Sequence, residues 1–480
     1  MNPSNLHILE QSRNPAAGLL AVSSSFRTTS RSLFLASNRA SRIRRRLIGG
    51  GLFLIAAVVR MRAASDGSPS PDAWGVTPPQ WLTEASFSFK EGYDTDIFGT
   101  TAARLPGDPN VANVSSAFTV FSPKAAITLL PFVSGGPDKV FTTLALGYAG
   151  DYAIYRAANS EKNLRNNFTQ QIKGKSGPWS ASVDNSLIYV AGSTHDVIYA
   201  TYSPLGYAAA RERREQIQER GAGYLRYDAP GWFVRSVANA LYYNLLIDEH
   251  NPVGVYKGYV NWVNRDDINT GFDFGLKVAS DFSLIAGWRL GQQTQARLYY
   301  SPADDDNTYN RALVGFEGKI FPWLQVQSIV GPDYRRYSDG SNVGLTDNRH
   351  TWVYLESAVT ANVTNQDSLT YSIKVWHFVS SGGGTSFQET TNLLNLKHAF
   401  TKEFSMSVGW RLQGARYDAP SVRNDWVAAY PVNLTYAFNR SVSVGADYSP
   451  IRGRSHVPVS VAPGRDWDEK IASLSVKIAL

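Results

Sequence analysis

Between Leu394 and Leu412 the chain alternates with a period of two. Leu394, Leu396, Phe400, Phe404, Met406, Val408, Trp410 and Leu412 stand on even positions, and Asn395, Lys397, Ser405, Ser407, Gly409, Arg411 and Gln413 on odd ones, with Thr401-Lys402-Glu403 between the halves. Successive side chains of a strand point to opposite faces, so the pattern predicts a β-hairpin with one apolar and one polar face. The unit recurs. Leu276-Lys277, Ala279-Ser280-Asp281, Phe282-Ser283 and Gly287-Trp288-Arg289-Leu290 match Leu396-Lys397, Phe404-Ser405 and Gly409-Trp410-Arg411-Leu412. A repeated amphipathic hairpin confines the chain to all-β architectures.

Charge is distributed unevenly. The whole chain carries a formal +7, which by itself suggests nucleic acid or an anionic surface as partner. Residues 1–64, however, hold ten Arg, no Lys and a single acid, Glu10, so the remainder has 37 bases against 39 acids. The basic character belongs to the leader, and a nucleic-acid role for the body loses its support. Arg42, Arg44, Arg45 and Arg46 precede an apolar run from Leu47 to Val59 and then Ala63-Ala64-Ser65. Positive, apolar and small residues in that order predict a secretory signal peptide, and the run is too short for a spanning helix. Residues 1–64 are therefore read as an N-terminal extension and signal peptide, with an organellar transit peptide or an upstream-assigned start as alternatives. The chain has no cysteine, which excludes disulfide staples and thiolate metal sites.

Residues 65–80, rich in Pro, Ser and Gly, read as a flexible linker, and strands begin at Trp81. No comparable linker divides 81–480, so one large β-unit is expected there. Alternating runs separated by turn residues give about eighteen strands, within a range of sixteen to twenty, with Gly254–Asn264 ambiguous. Tight turns such as Asn365-Gln366-Asp367 and Asn439-Arg440 alternate with longer loops such as Ser193–Arg220, Ser338–Asn348 and Gly453–Arg465. Short turns at one rim and long loops at the other are what a single transmembrane antiparallel up-and-down β-barrel requires, whereas a sandwich has no such need. In the last strand Leu474, Val476, Ile478 and Leu480 share one face, and Ser473, Ser475 and Lys477 the other. Tyr299-Tyr300, Tyr334, Tyr337, Tyr417, Tyr448 and Trp467 fall near strand ends, where a barrel in a bilayer carries an aromatic girdle.

The repeated unit, apolar-x-apolar, a short turn, Phe-Ser or Val-Ser, then Gly-Trp-Arg or Gly-Ala-Asp and a distal Tyr, resembles the outer-membrane β-barrel porin family of the second type. Leu276–Gln293, Leu396–Ala415 and Leu434–Tyr448 carry the likeness, which with flanking hairpins extends over Thr83–Leu480. The resemblance implies a bacterial outer-membrane barrel of undefined cargo. Such barrels often end in an aromatic residue read by the barrel assembly machinery, and here the last residue is Leu480.

No catalytic signature is present. His7, His195, His250, His350, His377, His398 and His456 are scattered, with neither a Gly-x-Ser-x-Gly elbow nor a His-Glu-x-x-His helix. No catalytic, cofactor or metal site is expected, and a His beside a Ser or Asp on one rim would reopen a hydrolase reading. Asp304-Asp305-Asp306-Asn307 lacks the spacing of a calcium loop and reads as a solvated acidic loop. Ala208–Arg220 has helical propensity and reads as a solvent-facing loop helix, or as a charged constriction folded into a pore. By parity with their apolar neighbours, Asp273, Lys277, Arg289, Lys397, Arg411 and Asp447 point inward and are the candidate pore-lining residues. Mixed charge there either sets a transverse field on passing solutes or pairs into salt bridges that stiffen the wall. The function expected is a passive channel for small hydrophilic solutes or ions, in contact with outer-membrane lipid and possible as a homo-oligomer. A structural or export-partner barrel with a plugged or dedicated pore is the alternative, and an outer-membrane hydrolase comes third.

Overall fold

The structure is a computed structural model and describes residues 78–97, 114–133, 140–157, 162–191, 215–246, 264–296, 305–338, 348–379, 386–418, 424–456 and 467–480. The signal and linker segments, Gly254–Asn264, Tyr299-Tyr300 and most of Ala208–Arg220 lie outside the described residues. The strands run β1 (Leu82–Asp94), β2 (Ser116–Thr128), β3 (Phe141–Tyr155), β4 (Asn163–Ser176), β5 (Trp179–Ala191) and β6 (Gln216–Asp228). They continue with β7 (Trp232–Leu245), β8 (Arg265–Ala279), β9 (Phe282–Gln295), β10 (Asn307–Phe321), β11 (Leu324–Tyr337), β12 (Arg349–Asn362) and β13 (Asp367–Val379). The series ends with β14 (Ser386–Ala399), β15 (Phe404–Tyr417), β16 (Asn424–Ala429), β17 (Val432–Ala437), β18 (Val442–His456) and β19 (Trp467–Ala479).

Apart from β16 and β17, each strand pairs antiparallel with its neighbours in sequence, and β1 pairs with both β2 and β19, so the ladder closes on itself. The wall is therefore an up-and-down barrel, with no open sheet edge at its seam. Nineteen strands are described where about eighteen were expected, and a proline accounts for the difference. Both β16 and β17 pair with β15 on one side and β18 on the other, in one unbroken register, from Arg411↔Ala429 to Val408↔Val432. They are one stave interrupted at Pro431, which has no N–H to give to the ladder. Its carbonyl still accepts from Gly409 N at 2.7 Å. A Cβ on Gly409 would stand 2.8 Å from the Pro431 ring, so the residue opposite has to be glycine.

Period two sorts the faces as the sequence implies. On β8, Ile268, Phe272, Phe274, Leu276 and Val278 are exposed outward, while Asp267, Asp273 and Gly275 are buried on the other face. From Ile268 to Val278 the outer stripe runs about 34 Å along the strand, and at a tilt of ~40° that is close to the ~25 Å apolar band of a spanning barrel. Leu474, Val476, Ile478 and Leu480 face out as expected, paired through β1 with Phe87 and Phe89 on the same surface. At the short-turn rim Trp179, Tyr227, Trp232 and Phe274 form a continuous row, with ring centroids 5.0, 5.9 and 6.1 Å apart. At the long-loop rim the girdle is thinner than the sequence suggests. Tyr334 and Tyr448 face outward, whereas Tyr337, Tyr417 and Trp467 are buried on the inner face, because each has the parity of its strand's inward residues.

An outward Phe272→Arg substitution puts a charge in the middle of the lipid-facing stripe and is expected to cost about 2–4 kcal/mol. Reversible denaturant unfolding of the barrel in lipid vesicles measures this, with the inward, exposed Lys397→Gln expected to change stability by less than about 0.5 kcal/mol.

Candidate functional site: the lumenal wall and its inward-turned end

The inner faces of β6 to β10 carry one connected charge network. Lys277 pairs with Asp228 at 3.1 Å, Asp228 with Arg226 at 2.9 Å, and Arg226 with Glu317 at 2.9 Å. Glu317 holds Arg235 at 2.8 Å, Arg235 holds Asp273 at 2.8 Å, and Asp273 holds Arg289 at 2.7 Å. Carboxylates are shared between the guanidiniums: Glu317 bridges Arg226 and Arg235, which are direct ladder partners, and Asp273 bridges Arg235 and Arg289. The network is set on an aromatic floor: the Arg226 guanidinium lies 3.6 Å above the Phe233 ring. That ring crosses its ladder partner Gly275, where an added Cβ would stand 2.0 Å from a ring carbon. Glycine at 275 is thus what allows Phe233 to lie flat beneath the arginine.

Nearer the long-loop rim the wall changes. The β11–β12 ladder continues to Arg336↔Arg349, but the β12–β13 ladder stops at Leu355↔Val375. Beyond that point β13 stays paired with β14 up to Val379↔Ser386, and β14 with β15 from Phe387↔Tyr417. The end of β13 therefore parts from β12 and, still laddered to β14 and through it to β15, turns into the barrel, while β15 stays paired with β16 as far as Arg416↔Asn424. Side chains of strands well removed along the wall receive them. The His377 carbonyl accepts from Gln293 Nε2 at 3.0 Å and from Arg335 Nη2 at 2.7 Å, and the Val379 carbonyl accepts from Arg265 Nη1 at 2.8 Å. Ser386 Oγ donates to Asp305 Oδ2 at 2.9 Å. These side chains satisfy backbone acceptors that a strand neighbour would otherwise hold, since a buried carbonyl left unpaired is costly.

This flap carries an apolar cluster of Phe378, Val379, Phe387, Ala415 and Tyr417, and Leu241 of β7 and Val427 of β16 both pack against the cluster. With β16 and β17 counted as one stave, β7 and β16 are opposite one another around the ring. The flap thus reaches across the lumen. Arg265 lies 4.4 Å from the Phe378 ring and 4.6 Å from the Tyr243 ring, which joins the flap to the far wall by cation–π contact as well. Arg335 is fully buried and uses its whole fork: Nε and Nη2 on Asp333 at 3.1 and 2.8 Å, and Nη1 on Gln293 Oε1 at 2.8 Å and Asn307 Oδ1 at 2.9 Å. The planar guanidinium suits several acceptors in one plane. His377 is enclosed, with Nε2 2.6 Å from Asp418, Nδ1 3.1 Å from the Tyr337 hydroxyl, and its ring stacked 4.3 Å from Trp352.

All six candidate pore-lining residues lie on the inward face. Asp273, Lys277 and Arg289 belong to the charge network, and Asp447 pairs with Lys90 at 2.9 Å. Arg411 donates to Gln413 Oε1 at 3.1 Å, and Lys397 is exposed opposite Ser407. Of the two alternatives raised by the sequence, paired charges in the wall describe Asp273, Lys277, Arg289 and Asp447. Two expectations are corrected. Asp305 is buried and accepts from Ser386, so that part of the acidic run is no solvated loop. Gln216–Arg220, expected within a loop helix, begins β6, because the ladder with β5 outweighs a weak helical propensity. The structure also brings a His beside an Asp on each rim, as His377–Asp418 and as His398–Asp367 at 2.7 Å. Both His377 nitrogens are occupied and its ring is buried, and Asp367 also accepts from Thr364 in the β12–β13 turn. Among the described residues no three His, Asp or Glu converge as a metal site. The site missed from the sequence is the meeting of Arg265, Gln293 and Arg335 with the His377 and Val379 carbonyls, which the inward turn of β13 creates.

No family model matches the chain, and no curated protein does. Among solved structures it is similar to outer-membrane proteins of Pseudomonas aeruginosa. The outer membrane protein OpdK is 11% identical, with 83% of this chain and 99% of that one covered at a TM-score of 0.37. OccK2 (OpdF) in complex with glucuronate is 10% identical, with 84% and 100% covered at a TM-score of 0.38. At that level the likeness carries no argument about activity, and the barrel assignment rests on the closed ladder of this chain.

Asp273→Asn leaves Arg235 and Arg289 facing each other without their shared carboxylate. Removing one partner of a buried ion pair typically costs about 3–5 kcal/mol, and the lower end is expected here because Glu317 still holds Arg235. Denaturant unfolding in vesicles reads the change.

Proposed function

We propose that the chain is a bacterial outer-membrane β-barrel acting as a passive channel for small hydrophilic solutes or ions. The observation that carries this is the two-faced closed wall: an outer stripe of apolar residues about as tall as a bilayer's apolar core, and an inner face of charged and polar ones. A closed ladder leaves no backbone amide unpaired toward lipid, which is the condition for spanning hydrocarbon with strands. A ring of about eighteen staves encloses more space than its own side chains fill, so water and small solutes have a path wherever the flap leaves one. The wall contacts outer-membrane lipid, and insertion through the barrel assembly machinery is part of this reading. No catalytic step is assigned. The segments 1–64 and 65–80 are taken as signal region and linker to a barrel over 81–480.

Within this reading the six inward residues divide by role. Asp273, Lys277, Arg289 and Asp447 brace the wall, while Lys397 and Arg411, exposed on neighbouring strands, meet the passing solute. A second reading, a barrel with a plugged or dedicated pore, is favoured by one observation, the flap of β13 to β15 packed across the lumen.

Purified, folded protein in planar bilayers is expected to give discrete conductance steps, and folded protein that never conducts would overturn the channel reading in favour of the plugged one. Lys397→Glu combined with Arg411→Glu is expected to shift the reversal potential in a salt gradient toward cation preference. Asp447→Asn, already paired with Lys90 in the wall, is expected to shift it much less.

A further inference from the structure

The β12–β13 ladder ends at Leu355↔Val375 although both strands continue, β12 toward Arg349 and β13 to Val379. We propose that the inward flap is one of two positions for the ends of β13 to β15, and that the second is the barrel wall itself. Continuing the existing register places Trp376 opposite Tyr354, His377 opposite Val353, Phe378 opposite Trp352 and Val379 opposite Thr351. The edge of β12 is then the docking site for a segment of the same chain, and the narrowed or open state of the lumen depends on where that segment lies. The consequence for permeation rests on the channel reading above, whereas the re-pairing itself does not.

Four observations favour a two-position element. First, the acceptors involved have a holder in either place. The His377 and Val379 carbonyls, held by Gln293, Arg335 and Arg265 in the inward position, would accept from β12 amides in the wall. Second, parity is compatible. Trp376 and Phe378 would keep the inner face beside Tyr354 and Trp352, while His377 and Val379 would pass to the outer face beside Val353 and Thr351. Third, the outer face there is at the girdle: Thr351 pairs with Tyr334, one of the outward tyrosines. An imidazole is tolerated at an interface of that kind far better than deeper in the stripe. Fourth, the moving part is already coherent, because β13 stays paired with β14, and β14 with β15, through the whole inward turn, and the ladder of β15 with β16 up to Arg416↔Asn424 is the side on which it stays attached to the wall. His377 is the residue whose surroundings change most, since it leaves Asp418, Tyr337 and the Trp352 stack. Arg335, Asp333, Arg265 and Asp305 are the charged groups that face the flap from β8, β11 and the segment before β10. Packed interfaces of this kind tend to be bistable instead of continuously deformable.

The chain has no cysteine, so introduced pairs are the only thiols. Thr351→Cys with Val379→Cys reports the wall position and leaves His377 intact. Leu355→Cys with Val375→Cys, four residues back in the same register and of the same pair type, is the matched control. Asp305→Cys with Ser386→Cys reports the inward position. Each pair is oxidised in folded protein in vesicles, and the linked peptides are read by mass spectrometry. The expected result is that the control and both reporter pairs form disulfides. The linked Thr351/Val379 form is then expected to conduct several-fold more than its reduced form, and the linked Asp305/Ser386 form no more than its own. A control that links while Thr351/Val379 stays reduced overturns the proposal, as does a linked Thr351/Val379 form with unchanged conductance. Should the Val379 substitution prevent folding, Val353→Cys with His377→Cys tests the same register. If no form conducts, wild type included, the channel reading fails, and disulfide yield alone still decides whether the second position exists.

Discussion

The structure depends on where its backbone hydrogen bonds go. Hydrocarbon offers no donor or acceptor, so every stave of a spanning wall must pair on both sides, and the seam between β1 and β19 is what turns a long meander into a membrane structure. Two places depart from the rule, and each shows what it takes. At Pro431 the missing amide costs a rung, yet the register continues through it, with Gly409 donating to Pro431 O and Tyr430 to Pro450 O. A proline is tolerated in a central stave because the strands on either side hold it in place. At the end of β13 a whole stretch of ladder is absent, and side chains take over: guanidiniums and a carboxamide, long enough to reach from other strands, hold the carbonyls that β12 does not. Arginine suits that task because it offers five donors and never loses its charge.

The inner face follows from the same economy of pairing. A lumenal side chain meets water or other lumenal side chains, so charges are admissible there, but adjacent cations on neighbouring staves repel. In the row from Lys277 to Arg289 the carboxylates of Asp228, Glu317 and Asp273 are interleaved with the bases, so each guanidinium in the row sits against an acid. The flap lands on a different surface, where Arg265 and Arg335 are balanced by Asp267, Asp333 and Asp305 among Tyr309, Tyr337 and Gln293. Tyr309 contributes twice, donating to Asp267 at 2.9 Å and covering its ladder partner Gly291.

Much of the wall was legible in the sequence because its rules are local. Period two, turn residues and loop lengths give the face of Leu474 to Leu480 and the stave count to within one. Misreadings came where a second rule competed. Proximity to a strand end points Tyr337, Tyr417 and Trp467 to the girdle, whereas their odd positions turn them inward. Gln216 to Arg220 looked helical because Glu and Arg favour helices in isolation, and a ladder partner in β5 reverses that preference. Asp305 was judged by its acidic neighbours, and its burial comes from Ser386, eighty-one positions away. The flap had no local sign at all. Trp376 to Val379 alternate no differently from the residues before them, and nothing in the string tells that β12 releases them.

That release also explains why one group of fully enclosed polar residues, Gln293, Asp305, Asp333 and His377, gathers where the wall is least regular. In a regular stave the backbone pairs with backbone, and lumenal side chains can stay hydrated and lightly held. Once β13 leaves β12, its carbonyls must be met inside the barrel, and each donor sent to meet them becomes buried and needs partners of its own. Arg335 requires Asp333, Gln293 is drawn to Asp267 at 2.6 Å, and the His377 ring is enclosed by Trp352 and Tyr337. The network is thus a consequence of the broken rung. Three of its donors, Gln293, Arg335 and Arg265, end on β13 carbonyls that the missing ladder left behind.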